Sequence, residues 1–327
     1  MLDDNRLSFK RIVCPVELSP DSSQALRYAF AFASSYHAKL FVLHCTATET
    51  NAEVTDRAAL RNIVENFTHE YMLSPTAPAL DCESVIVSGE PDVEIAREAA
   101  ERQADLIIMR SRRRPYAAAL LGSVAESVCR MAPCPTLVTH AREIEWAGRT
   151  ANSLDLKRVL VAYDFSSDSE LALSYGLSFA QQYGAELHVL HVVPSRPKVI
   201  PSEISQLPFS SESTFRKTFA ALKTAVPHSE VGGWSVRHAV REGQPYREVL
   251  AYAEDQAVEL ICMGASGTGF GMRALFGSNA DRVLRQAPCP ILIARPLRPA
   301  IATPVNEPLR TEASAAFAHE AREVIQK

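Results

Sequence analysis

The chain has 327 residues, of which 47% are hydrophobic and 22% are charged. This composition excludes an intrinsically disordered protein, which lacks the apolar surface needed to offset its chain entropy. The formal net charge is −4, so no basic excess points to nucleic acid or to an anionic membrane as a partner. At roughly 150 residues per domain, the length predicts about two domains.

Targeting signals do not stand out in the sequence. The start, Met1-Leu2-Asp3-Asp4, is acidic and lacks the apolar stretch of a signal peptide, and nowhere do about 18 apolar residues run together. The cysteines lie in apolar runs without a Cys-x-x-Cys pair, which favours buried free thiols in a reducing compartment. We therefore expect a cytoplasmic protein without a membrane partner. The cysteines are Cys14, Cys45, Cys82, Cys129, Cys134, Cys262 and Cys289.

The second half of the chain repeats the first. An offset of 147 holds without a gap for about 35 residues and carries Tyr36 onto Tyr183 and His44 onto His191. The offset later becomes 154 and then 155. Segments matched in this way are 11–22 with 158–169, 89–91 with 243–245, 105–109 with 259–263, and 132–135 with 287–290. The pattern indicates duplication of one domain of about 140 residues.

Each copy predicts strands and helices in the same alternating order. Short β-rich runs, buried on both faces, alternate with segments of helical period, and Ser-x-Asp-Ser elements supply N-cap oxygens to the first helices. In chain order, the first copy predicts strands at 12–16, 40–45, 84–87, 106–109 and 136–139. Its predicted helices are one that ends at 36, one at 56–71, one that begins at about 92, and one at 124–131. The second copy predicts strands at 159–163, 187–193, 235–240, 260–263 and 291–294. Its predicted helices are one that ends at 183, one at 212–225, one that begins at about 246, and one at 280–286.

Strands separated by helices imply parallel pairing, so the predicted class is α/β, with two tandem, doubly wound, five-stranded parallel sheets of Rossmann-like type. The predicted domains are residues 1–147 and 154–298. Residues 299–327 are predicted to form a proline-rich linker and a C-terminal helix, which either docks on the chain or binds a partner.

The second copy places ligand-binding chemistry after its fourth strand. Ligands of open α/β sheets bind at the carboxyl ends of the strands, where the strand order reverses. Gly264 and Gly267 let the backbone approach a phosphate closely. Gly277-Ser278-Asn279 opens the last helix, where we expect free amides and a hydroxyl to favour an anion. Asp164 ends the first strand, and its carboxylate can accept hydrogen bonds from ribose hydroxyls.

These residues resemble the universal stress proteins, α/β domains of the adenine-nucleotide α-hydrolase-like superfamily. ATP-binding members share Gly, two residues, Gly, nine residues, and Gly followed by Ser or Thr, which Gly264, Gly267 and Gly277-Ser278 match. The resemblance implies that Asp164 contacts the ribose and that Val192, after His191, lies beside the adenine. The expected ligand is ATP, with Mg²⁺ accompanying its charge. The predicted nucleotide-binding residues are Asp164, Val192, Gly264, Ala265, Gly267, Gly277, Ser278 and Asn279.

The resemblance also implies how the two copies assemble. Family members commonly associate through their fifth strands, so 136–139 and 291–294 are expected to pair and form an intramolecular pseudo-dimer. Pairing within one chain would satisfy both strand edges. Further homodimerisation stays open at this point, and so does the identity of any protein partner.

The first copy departs from this pattern. Arg110 stands where Gly264 does, Arg113 stands where Gly267 does, and Glu17 replaces Asp164, while Gly122-Ser123 is kept. Arginine side chains fill the space that a triphosphate needs, so we expect one ATP per chain and a degenerate first site. The basic loop 110–114 is either a solvated loop or an anion site formed by guanidinium groups.

Other readings of the sequence are weaker. The glycines at 267, 269 and 271 follow a fourth strand rather than a first one, which argues against a dinucleotide fingerprint, and no P-loop or metal-ligand spacing is present. We interpret His44 and His191 as structural and Asp21 and Asp168 as helix caps. No catalytic residue is predicted, and Arg273 is the only cation expected near the loop. A nucleotide-binding regulatory protein is the leading hypothesis, beside a slow ATPase and a nucleotide-independent adaptor.

Overall fold

A computed structural model describes residues 8–19, 22–46, 50–72, 80–111, 122–140, 154–195, 211–226, 234–266 and 276–295. Within these ranges the first domain contains β1 (Arg11–Pro15), α1 (Ser23–Tyr36), β2 (Lys39–Thr46), α2 (Thr50–Met72), β3 (Cys82–Ser88), α3 (Pro91–Glu101), β4 (Leu106–Arg110), α4 (Ser123–Met131) and β5 (Thr136–Thr139). The second contains β6 (Arg158–Ala162), α5 (Ser167–Tyr183), β7 (Glu186–Pro194), α6 (Ser211–Ala225), β8 (Ser235–Gly243), α7 (Pro245–Asp255), β9 (Leu260–Gly264), α8 (Ser278–Gln286) and β10 (Ile291–Ala294).

The strands form one ten-stranded sheet in the order β3-β2-β1-β4-β5-β10-β9-β6-β7-β8. Pairing within each half is parallel, and the halves meet through antiparallel pairing of β5 with β10, with Leu137 opposite Leu292. The predicted α/β class and the predicted pairing of the fifth strands are confirmed. The two five-stranded sheets are thus halves of one continuous sheet.

Helices cover both faces of this sheet because the strands are apolar on both sides. Helices α1, α2, α5 and α6 pack on one face around a core that contains Phe32 and Phe179. Helices α3, α4, α7 and α8 pack on the other face around a core that contains Val128 and Val283. Each core draws residues from both domains, so the domains share their apolar interior as well as their sheet.

The strand order reverses beside the first strand of each domain. β1 lies between β2 and β4, and β6 lies between β7 and β9. Chains that leave neighbouring parallel strands in opposite directions open a crevice at the carboxyl edge of the sheet. The ends of β6 and β9, where Asp164 and Gly264 lie, border this crevice in the second domain.

All seven cysteines are free thiols, as predicted. Five are buried, while Cys45 and Cys82 are half-buried. Burial raises the pKa of the Cys129 thiol to about 12, so it carries no thiolate at neutral pH. Among the described residues, no helix is long and apolar enough to cross a membrane.

Candidate functional site

A cavity of about 560 Å³ opens at the switch point of the second domain. It lies between the carboxyl ends of β6, β7 and β9 and the first turns of α7 and α8. Its apolar wall includes Leu190, Val192, Val249, Met263 and Val283, and its polar wall includes Asp164, His191, Ser266, Ser278 and Asn279. One cavity therefore joins a surface suited to a flat apolar ring with hydrogen-bonding groups at a helix N-terminus.

The carboxylate of Asp164 is held in place by the turn that follows β6. Its Oδ1 accepts hydrogen bonds from the amide of Ser166 at 3.1 Å and from the hydroxyl of the same residue. The Ser169 hydroxyl accepts a hydrogen bond from the Asp164 amide at 3.3 Å. Ser166 also caps α5, because its Oγ accepts the Ser169 amide at 3.2 Å. The predicted N-cap chemistry is confirmed for α5 but is wrong for α1, whose N-cap Ser22 makes no capping hydrogen bond with its side chain. In α5 the same turn orients Asp164, the candidate ribose acid.

His191 links the ends of two strands under the cavity. Its Nδ1 lies 2.8 Å from the carbonyl oxygen of Tyr163, so Nδ1 carries the proton and donates it. His44 makes the equivalent bond to Val16 at 2.9 Å in the first domain. Both histidines thus make a backbone hydrogen bond of the kind expected for a structural role. Phe165, 40% exposed and with a left-handed φ of 63°, places its ring 5.0 Å from that of His191.

The structure gives a reason for glycine at position 264 other than the predicted close approach of a phosphate. A β-carbon there would lie 2.7 Å from Cβ of Asp168 and 2.8 Å from its carbonyl carbon. The first turn of α5 thus occupies the space that a side chain would fill. Asp168 is not a helix cap as predicted, since its Oδ2 accepts the Ser266 amide at 3.0 Å. It fixes the start of the loop after β9.

The N-terminus of α8 also needs a correction. The Gly277 amide, predicted to be free, donates to the carbonyl oxygen of Ala265 at 2.8 Å. The first amides within the helix, from Ser278 onward, have no carbonyl one turn earlier in the helix to bind. Ser278 and Asn279 are exposed and line the cavity. Ser278 and Asn279 are therefore the exposed groups at this end, while Gly277 ties the helix to the residue that follows β9.

Two cations that sequence reasoning missed lie against a residue of the cavity wall. Tyr246, in the first turn of α7, lines the cavity, and the guanidinium carbons of Arg282 and Arg247 lie 4.7 Å and 5.7 Å from its ring centroid. We call these three residues the cationic rim. A hydrogen bond from Arg247 lowers the pKa of Tyr246, and the charges of Arg247 and Arg282 add to that effect.

The cationic rim corrects the expectation that Arg273 is the only cation near the loop. Within the described ranges, neither rim arginine has a carboxylate at ion-pair distance. One signal was present in the sequence, because Arg282 lies four residues after Ser278 on the same helix face. Arg247 could not be found in this way, since only the packing of α7 on α8 brings it close.

The comparisons with known proteins agree with this architecture. The model of the universal stress protein family matches residues 8–140 and 155–295. The chain belongs to the universal stress protein family.

Some relatives of this universal stress protein match most of the chain, and others match less than half of it. One from Mycolicibacterium smegmatis is 26% identical over 306 residues, covering 87% of this chain and 97% of its own. A crystal structure from Archaeoglobus fulgidus covers 87% of this chain and 98% of its own, with 22% identity and a TM-score of 0.59. Another universal stress protein, solved in complex with cAMP, matches 41% of this chain and 98% of its own at 25% identity, with a TM-score of 0.33.

Six of the eight predicted site residues line the cavity. They are Asp164, Val192, Gly264, Gly277, Ser278 and Asn279. Ala265 is buried behind them, 3% exposed, and acts through its carbonyl oxygen. Gly267 lies outside the described residues, as do Asp21, Arg112–Arg114, Arg273 and the predicted C-terminal helix.

The first domain keeps the scaffold of the site but changes its lining. Ser22, the counterpart of Ser169, still binds the end of the first strand, accepting the Glu17 amide at 3.0 Å. Helix α1 begins at Ser23, whereas α5 begins three residues earlier relative to the repeat, at Ser167. Arg110, which has a β-carbon, ends β4 at the position of Gly264. The first domain therefore carries a side chain at the position where, in the second domain, a β-carbon would meet Asp168.

Proposed function

We propose that the second domain binds one ATP molecule per chain and that the protein is a nucleotide-responsive regulator in the stress response. The observation that carries this proposal is the cavity, in which Asp164, an apolar wall and the N-terminus of α8 converge. Its volume of about 560 Å³ lies in the range of small-molecule sites. The first domain, where Glu17 and Arg110 replace two of these elements, serves a structural or regulatory role.

Each part of ATP has a matching surface in this proposal. The adenine lies against Val192 and the other apolar side chains, and the ribose hydroxyls donate to Asp164. The phosphates lie at Ser278 and Asn279, where the helix dipole and unpaired amides favour negative charge. The arginines of the cationic rim add charge-assisted hydrogen bonds at the same end.

Magnesium fits this site as a companion of the triphosphate. Among the described residues, no group of three His, Cys, Asp or Glu side chains could hold a metal ion. The phosphate oxygens would therefore supply much of its coordination, and Mg²⁺ would neutralise part of their charge.

We propose binding without efficient turnover. Asp164 and His191, two titratable side chains on the cavity wall, already have positioning partners in Ser166 and the Tyr163 carbonyl. A role in holding the ligand accounts for both. Steady ATP turnover that Asp164→Ala abolishes would contradict this part of the proposal and favour a hydrolase.

The nucleotide carried by the freshly purified full chain provides the first test. We expect adenine nucleotide to be released on denaturation at no more than one molecule per chain, measured by chromatography against protein concentration. A nucleotide-free protein that also fails to bind added ATP in titration calorimetry would favour the adaptor hypothesis. Two molecules per chain would contradict the degenerate first site.

A matched pair of variants assigns the site to one domain. Asp164→Ala should weaken ATP binding about ten-fold or more, because hydrogen bonds to a charged group contribute roughly 1.5–3 kcal/mol. Glu17→Ala makes the same change at the equivalent position of the first domain and should leave the Kd unchanged. Titration calorimetry measures both, and an equal loss in the two variants would contradict the assignment.

A further inference from the structure

Helix α4 of the first domain contacts the residue that precedes the phosphate-binding end of α8. The guanidinium carbon of Arg130 lies 5.5 Å from the ring centroid of Phe276. Phe276 lines the cavity and is followed directly by Gly277 and Ser278. A cation at this distance from an aromatic ring is attracted to its face. The nucleotide cavity of one domain is thus bordered by a ring that the other domain holds.

The second domain in turn binds the end of α4. Arg295, which follows β10 and is only 7% exposed, donates to the carbonyl oxygens of Cys129 and Arg130, the former at 3.1 Å. These carbonyls belong to the last turn of α4, which has no helical partner for them. The backbone that carries Arg130 is therefore anchored to the second domain.

An ion-pair path links Arg130 to α8 itself. Arg130 binds one carboxylate oxygen of Glu126 at 2.7 Å, and Arg285 of α8 binds the other at 2.7 Å. Arg285 also binds Asp281, in the first turn of α8, at 2.8 Å. We call Glu126, Arg130, Phe276, Arg285 and Arg295 the α4–α8 clasp. It contacts α8 both ahead of its first turn and along its body.

The clasp is not symmetric, although the repeat would allow it to be. Arg285 is the counterpart of Arg130 at the offset of 155, and Leu121 is the counterpart of Phe276. Arg285 pairs across the boundary with a carboxylate, whereas Arg130 lies over an aromatic ring. The aromatic residue, which leucine replaces in the first domain, is the one beside the intact loop.

We propose that Arg130 is a positioning residue through which the degenerate first domain sets the nucleotide affinity of the second. This inference rests on the proposed ATP site. Arg130 fixes the ring of Phe276, and the ring fixes the backbone that presents Ser278 and Asn279 to the phosphates. Because coupling between two sites is reciprocal, ATP binding also restrains Arg130 and α4. The first domain thereby both sets the affinity of the site and responds to its occupancy.

Titration calorimetry of full-length variants with ATP tests the proposal. Arg130→Met keeps an unbranched apolar side chain but removes the cation, and should raise the Kd about three- to ten-fold. Arg130→Lys keeps a cation and should restore part of the affinity, which a purely steric role would not do. In a Phe276→Leu background, Arg130→Met should have little further effect. Arg97→Met, which breaks ion pairs on α3 of the same domain, is the control and should leave the Kd unchanged.

Hydrogen exchange of the ligand-free protein gives a readout that does not need ATP. Arg130→Met should speed exchange of the Gly277 and Asp281 amides, whose acceptors are Ala265 and Gly277, more than exchange in α7. Wild type that binds ATP while Arg130→Met shows the same Kd and the same exchange would overturn the inference and leave the ATP site intact. Failure of wild type to bind ATP would overturn the proposed function itself, and the inference with it.

Discussion

At the scale of single residues, the cavity shows two ways in which a side chain is prepared for a ligand. Asp164 is held by the Ser166 turn before any ligand arrives, so binding needs little further ordering of its carboxylate. Arg247 and Arg282 are exposed, and among the contacts of the described residues both lie against Tyr246, to whose hydroxyl Arg247 donates a hydrogen bond. Their positive charge is available to an anion, and the strength of that anion binding should depend on the salt concentration.

Arg282→Gln tests whether an exposed arginine of the cationic rim contributes to nucleotide binding. Arg282 lies one turn after Ser278, and helical side chains lean toward the N-terminus, so its charge is directed to the phosphate end. We expect the variant to lose about three-fold in ATP affinity and less in AMP affinity, measured by calorimetry at low salt.

Arg237→Gln is the matched control for that experiment. Arg237 is also an exposed arginine of the second domain, but it pairs with Glu186 at the start of β7, on the opposite edge of the sheet. Equal losses for ATP and AMP in Arg282→Gln, or the same losses in Arg237→Gln, would contradict a specific role for the cationic rim.

At the scale of elements, β7 and α7 are joined by a buried histidine. His188, 1% exposed, lies 2.9 Å from the Tyr252 hydroxyl through Nδ1 and 3.1 Å from Glu186 through Nε2. Burial lowers the pKa of His188, an effect that Glu186 opposes and that Arg237 and Arg158 support. The neutral ring is therefore the form that the fold favours.

The stability of the protein should fall as the pH falls through and below about 6.5, the ordinary pKa of histidine. In that range the unfolded chain binds more protons at this position than the folded chain, so acid favours unfolding, and the contribution is absent at higher pH. Urea denaturation at several pH values measures the effect. His188→Gln, which does not titrate, should flatten this dependence, and equal slopes in the two proteins would contradict it.

The strands that the sequence predicted well are the central ones. Apolar runs marked β1, β4, β5 and their repeats almost to the residue. β8 was predicted to end at residue 240, but it continues to Gly243 through Arg241 and Glu242, which pair with Val192 and Val193 of β7. Polar edge residues carry no apolar signal, so only pairing with the neighbouring strand reveals their extended conformation.

The predictability of the site divides in the same way. Asp164, Gly264 and Ser278 could be found because the motif and its altered copy in the first domain can both be read from the linear sequence. The contacts of Asp168 with Ser266 and of Arg130 with Phe276 join residues that are far apart in the chain. Such pairs depend on how helices pack, which no local pattern specifies.

At the scale of the whole molecule, aromatic side chains join α1 to α5 across the domain boundary. Phe32 and Phe179 meet edge to face with centroids 6.0 Å apart, and Phe9 stacks on Tyr175 at 6.3 Å. The Tyr183 hydroxyl lies 3.2 Å from the Ser35 hydroxyl. Since this buried packing draws side chains from both domains, it stabilises both domains at once.

Phe179→Ala should therefore destabilise both domains together. We expect a loss of about 3–5 kcal/mol in the free energy of unfolding, because a large buried ring leaves a cavity that the core cannot fill. Urea denaturation should show one transition, and hydrogen exchange should quicken in β1 as well as in β6.

Phe219→Ala provides the comparison for that variant. Phe219 lies on α6 and is 37% exposed, so its removal should cost much less. Two separate transitions, of which Phe179→Ala moves only the second, would show that the domains unfold independently.

The antiparallel pair of β5 and β10 has a consequence for how the protein behaves on dilution. When two separate chains associate through such an edge, the fraction paired depends on their concentration, and related chains can exchange partners. Here both strands belong to one polypeptide, so the partner is present at a fixed effective concentration however dilute the protein becomes. The half that carries the proposed nucleotide site is thereby matched with one copy of the other half, and this ratio is set when the chain is translated.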